Sequence, residues 1–72
     1  MREIEIRDES IRLGQLLKLA DLIEAGSDAK DVLASGDVLV NGEPETRRGR
    51  QLVPGDTVTA LGETVGIVAR GH

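Results

Sequence analysis

The chain has 72 residues, nine of them basic and thirteen acidic for a net charge of −4, with no cysteine and no Phe, Tyr or Trp. That length suits one domain spanning residues 1–72 with a thin core, because a chain this short buries only roughly 60 % of its unfolded surface. The missing cysteines exclude disulfides and thiolate metal sites, and the missing rings exclude modules that stack splayed bases on aromatic platforms.

No apolar run approaches the ~20 residues of a membrane span. The first residues alternate charge with isoleucine, which is no secretion signal, so a cytoplasmic location is expected. A nucleic-acid binder is usually basic overall, and the acidic balance argues against that function.

Glu3-Ile4-Glu5-Ile6-Arg7 has the period of a half-buried strand. It could form an exposed sheet edge. Asp8-Glu9-Ser10 reads as a turn. From Arg12 to Glu24 the spacing predicts a helix, with Leu13, Leu16, Leu17, Ala20 and Ile23 on one buried face. Leu19 and Leu22 widen that stripe, which predicts cover on two sides. Gly26 supplies a left-handed stop. Ser27 is an N-cap for a second helix, with Asp28 well placed against the helix dipole. Ala29, Val32 and Leu33 are its apolar face, and Gly36 ends it.

The remainder reads as β. Asp37 to Val40 is a strand, and Asn41-Gly42 is a strong hairpin signal, since both residues tolerate positive φ. Glu43 to Thr46 forms the return strand or an extended arm. Pro54-Gly55-Asp56 is a turn, Thr57 to Leu61 a strand, Gly62-Glu63 a turn, and Thr64 to Val68 a closing strand. Strand, two helices, then several strands predicts an α+β domain.

No catalytic constellation is visible. Ser10, Ser27 and Ser35 have no internal histidine to activate them, because the single histidine is His72. No glycine-rich loop precedes a helix as a phosphate cradle requires. No enzymatic activity, cofactor, metal or small-molecule substrate is expected. The basic residues are less evenly spread. Thr46-Arg47-Arg48-Gly49-Arg50 holds three arginines and no acid, and the planar guanidinium matches phosphate geometry. The competing reading is that these arginines offset Glu43, Glu45 and Asp37.

The order of elements, with the residues from Ile11 to Val58, resembles a known family. Ile11-Arg12-Leu13 is similar to its first helix start, and Leu17-Lys18 follows. Gly26-Ser27 with Ala29-Lys30 resembles the opening of its second helix. Gly36 to Gly42 looks like its glycine, strand and hairpin turn, and Gly55-Asp56 like the turn into the next strand. That family is the RNA-binding domain shared by small-subunit ribosomal protein S-four, some pseudouridine synthases, the heat-shock ribosome-binding protein and bacterial tyrosyl-tRNA synthetase. Glu45-Thr46-Arg47-Arg48-Gly49-Arg50 resembles its small stand-alone bacterial subgroup.

The resemblance implies the alpha-L motif: two short helices packed on a small twisted, mostly antiparallel sheet of about four to five strands. It implies a non-catalytic module that contacts the phosphate backbone of structured RNA, with rRNA or tRNA as candidate partners. Carried over by position, Arg12, Lys18, Ser27, Lys30, Arg47, Arg48 and Arg50 are the expected RNA-binding residues. Two departures weaken the helical half of that surface. Gly14 stands where the family usually has an acid, and Asp28 and Asp31 flank Lys30 with charge that repels phosphate. The alternative function is an acidic interaction module on the same fold, whose partner is a ribosomal or other basic protein.

Overall fold

The computed structural model describes residues 1–23 and 28–70. A five-stranded sheet runs in the order β1-β7-β6-β3-β4, built from β1 (Arg2–Ile6), β3 (Leu39–Val40), β4 (Glu43–Pro44), β6 (Thr57–Ala60) and β7 (Glu63–Ala69). A separate two-stranded ladder joins β2 (Ile11–Arg12) to β5 (Gln51–Leu52). Two helices, α1 (Leu13–Leu19) and α2 (Asp28–Ala34), precede β3.

The alternating N-terminus forms the expected edge strand. Its partner is β7, in parallel, with Ile4 opposite Ile67 and Ile6 opposite Ala69. Every other pairing in the large sheet is antiparallel. Ile6 is buried while Glu3 and Glu5 are exposed, as a period of two requires. The core joins the helices to the sheet: Leu13, Leu16, Leu17, Ala20 and Leu33 meet Val38, Val40, Leu52, Val58, Ala60, Val65 and Ile67.

The first helix is shorter than its apolar spacing predicts. It ends at Leu19, not Glu24, because Asp21 turns left-handed at φ 62°. The Leu22 N–H donates to the Leu17 carbonyl at 2.9 Å and the Asp21 N–H to Lys18 at 3.0 Å. This is a Schellman stop, sealed by buried Leu17 and Leu22. Leu19 is consequently 55 % exposed, so the stripe is not covered on two sides. Gly26, expected to be the stop, and Ser27, expected to be the second N-cap, lie outside the described residues.

The hairpins follow glycine chemistry. Asn41 and Gly42 take φ 53° and 84° between paired Val40 and Glu43, the predicted type I′ geometry. The Asn41 side chain also donates to Asp56 Oδ1 at 3.1 Å and accepts from the Thr57 N–H at 2.9 Å. The next turn is displaced by one residue from expectation. It is Leu61-Gly62, at φ 52° and 81°, between paired Ala60 and Glu63. The return strand β4 stops at Pro44 and does not reach Thr46. Pro44 has no N–H to donate, which an edge strand tolerates but a continuing ladder does not.

Candidate nucleic-acid interface

Past Pro44 the chain leaves the sheet and forms a loop, 45–50, that carries the three arginines. Three sets of bonds fix it. The Glu45 N–H donates to the Val38 carbonyl at 3.0 Å, and the Arg50 N–H closes a turn on the Arg47 carbonyl at 3.3 Å. The second set involves α1. The first N–H groups of a helix have no partner inside it. Here the Leu13 N–H donates to the Arg50 carbonyl at 2.8 Å and the Gly14 N–H to the Arg48 carbonyl at 2.9 Å. The loop backbone therefore caps α1. The β2–β5 ladder holds this junction closed, with Arg12 opposite Gln51 and Ile11 opposite Leu52. Sequence reasoning placed Arg12 inside a helix and contained neither β2 nor β5, because two-residue strands leave no periodic signal.

The third set is a clasp. The Glu45 carboxylate accepts from Arg47 Nε at 2.7 Å and from an Arg50 Nη at 3.5 Å. It is the buried acid among the described residues, with its side chain 9 % exposed beneath the two arginines that cover it. The hydrogen bond from Arg47 lowers the Glu45 pKa below its ordinary 4.5; partial burial opposes this, and the two positive charges reinforce it. The same bond raises the Arg47 pKa. The folded-state pKa is depressed, so the clasp stabilises fully above pH 4.5 and fades as pH falls through the lowered value.

The competing reading of the arginines is thus half right. Glu45 engages Arg47 and Arg50. Asp37 instead contacts Ser35 Oγ. Among the described side chains, which exclude those of residues 28 and 29, neither Arg48 nor Lys30 forms an ion pair. These two side chains line one open groove between α2 and the loop, together with Leu33, Ala34 and Thr46. Lys18 is exposed on α1. It stands one helical turn beyond Gly14, on the face where the loop docks.

The structure brings two groups of the expected site residues together: Lys30 and Arg48 line one groove, and Arg47 and Arg50 share the Glu45 carboxylate. Arg12 lies in β2 at the N-terminus of α1, and Lys18 is exposed on α1. The site of Ser27 lies outside the described residues. Thr46, part of the expected segment 46–50, lines the groove. The contact of Glu45 with Arg47 and Arg50 was not expected from the sequence; its signal was the position of Glu45, two residues before Arg47 and five before Arg50, which becomes informative only once the strand ends at Pro44. Among the described residues no cluster of His, Asp or Glu could hold a metal, and no helix is long and apolar enough to cross a membrane.

A short helix pair packed on a small, mostly antiparallel sheet is the arrangement expected of the alpha-L motif. The S4 domain model matches residues 4–68, and the chain belongs to the S4 domain family of RNA-binding domains. Within it, the chain is most like small stand-alone bacterial proteins. The "probable ribosome maturation protein RlbA" of Bacillus subtilis (strain 168) is 54 % identical over 59 residues, 82 % of this chain and 83 % of that protein. YbcJ of Escherichia coli (strain K12) is 42 % identical over 59 residues, 82 % of this chain and 84 % of YbcJ. The solution structure of E. coli YbcJ, described as revealing an alpha-L motif involved in RNA binding, matches with a TM-score of 0.73 at 37 % identity. That match covers 96 % of this chain and 89 % of YbcJ.

Proposed function

We propose that this chain is a single non-catalytic domain that grips the phosphate backbone of structured RNA. The gripping face comprises Arg12 of β2, Lys18 of α1, Ser27, Lys30 of α2, and Arg47, Arg48 and Arg50 of the loop. The observation that carries this reading is the groove in which Arg48 and Lys30, from different elements, stand together with neither in a described ion pair. Two cations on either side of an open groove suit a phosphodiester, and this mode of grip needs no aromatic ring. The description of YbcJ supports RNA as the ligand, and the name of RlbA supports ribosomal RNA over transfer RNA as the first candidate.

The test is binding to ribosomal RNA across a salt series. Lys30→Ala and Arg48→Ala should each weaken binding and reduce the salt slope by roughly 1. An affinity independent of salt would refute backbone contact. The second reading, an acidic surface for a basic ribosomal protein, is favoured by the net charge of −4. It predicts that reversing exposed Asp31 to lysine abolishes capture of that protein and leaves RNA binding unchanged.

A further inference from the structure

The basic loop contains an acid that phosphate attraction does not call for. Glu45 lowers the charge of residues 45–50 from three positives to a net +2, and every negative charge near a phosphate backbone weakens attraction. The loop backbone is already held without it, by the Arg47–Arg50 turn and by the α1 N–H groups on Arg48 and Arg50. What the carboxylate adds is side-chain order. It takes one donor from Arg47 and one from Arg50. Each guanidinium has five N–H donors in a rigid fork, so most of each fork stays available. The Arg47 side chain is 75 % exposed and that of Arg50 32 %, above a carboxylate that is itself covered.

We propose that Glu45 is a positioning residue: it sacrifices raw charge to hold the Arg47 and Arg50 forks at one separation, so that the loop selects the backbone geometry of folded RNA over other polyanions. This rests on the RNA-binding reading above. Three unclasped arginines on a turn would follow any chain of phosphates. Two forks ordered before binding match only a backbone whose phosphates stand at the corresponding spacing, and no ordering cost is incurred on contact.

The test compares the full chain with Glu45→Gln and Glu45→Asp. The probes are an RNA hairpin with an A-form stem and a DNA duplex of the same sequence, titrated across a salt series by fluorescence anisotropy, with thermal melting alongside. Glu45→Gln should bind the DNA more tightly, with a salt slope steeper by roughly 1, and the hairpin more weakly at moderate salt. The RNA-to-DNA affinity ratio should fall by about tenfold or more. Glu45→Asp keeps the charge but is one methylene too short to bridge both forks. It should lose the same discrimination with the wild-type slope, which separates geometry from charge. An equal gain on both probes would make Glu45 a charge brake and overturn the proposal. An equal loss on both with a lowered melting temperature would make it merely structural and also overturn it. A wild-type chain that binds neither probe at low salt defeats the RNA-binding reading itself; one that binds while the ratio stays fixed in the variants defeats the clasp alone.

Discussion

Gly14 shows how a residue's meaning changes with its neighbours. By helix propensity it only weakens the first turn, by up to about 1 kcal/mol relative to alanine. In the structure its N–H meets the Arg48 carbonyl, and an added Cβ would lie 3.4 Å from the Arg48 Cβ and 3.5 Å from that carbonyl oxygen. One methyl fits there, and a branched side chain does not. Gly14→Ala should therefore stabilise by about 0.5–1 kcal/mol, raising Tm by roughly 4–8 °C per kcal/mol. Gly14→Val should lower Tm, because its second γ carbon must displace the loop. A valine variant melting as high as the alanine variant would show that the loop does not seat on α1. The arginines themselves were legible as a charge cluster. The clasp was not, since nothing in the alternation of residues 43–46 shows that the strand ends at Pro44 and turns Glu45 under Arg47 and Arg50.

At the scale of elements, strong local signals located the hairpins, and long-range packing chose their register. The glycine at 62 is compatible with a turn at 61–62 or at 62–63. Pairing Ala60 with Glu63 puts Val58, Ala60, Val65 and Ile67 in the core, and a slip of one residue would turn one strand's apolar set outward. The cost falls on Leu61, held at φ 52° while 60 % exposed. A left-handed backbone costs a branched L-residue about 1–2 kcal/mol, and asparagine tolerates it far better. Leu61→Asn should stabilise by about 1 kcal/mol, read as a higher midpoint in urea with an unchanged m-value. A lower midpoint would mean that the exposed leucine contributes packing. The same competition shortened α1. Its apolar spacing continues to Ile23, yet Leu22 and Ile23 are buried from beyond the helix end, after the left-handed Asp21 has redirected the chain. Spacing identifies which residues go inside, but a Schellman turn buries Leu22 without extending the helix.

For the whole molecule, net charge is a poor guide to the loop, because part of the acidic charge lies at the far edge of the sheet. Glu3 and Glu5 lie on β1, at the sheet edge opposite β4, from which the arginine loop departs. With a Debye length of about 8 Å in physiological salt, the far edge scarcely acts on that loop. Asp31, exposed on α2 next to Lys30, is the closer opponent in sequence. Asp31→Lys should tighten binding to ribosomal RNA at low salt and steepen the salt slope by roughly 1–2. An unchanged slope would show that α2 stands off the RNA and that the loop acts without it.

The sequence by itself determined the class of fold, the glycine-marked turns, most of the core and the basic segment, because each of these is written in spacing of a few residues. Its matching motifs also sufficed to place the chain in its family. Only the tertiary structure decided where α1 stops, that β1 pairs in parallel with the last strand, and that the loop caps α1. It likewise decided which arginines are committed to Glu45 and which one shares a groove with Lys30. Those outcomes depend on groups far apart in the chain, such as Gly14 with Arg48 and Lys30 with Arg48, whose meeting is set by packing and not by local propensity.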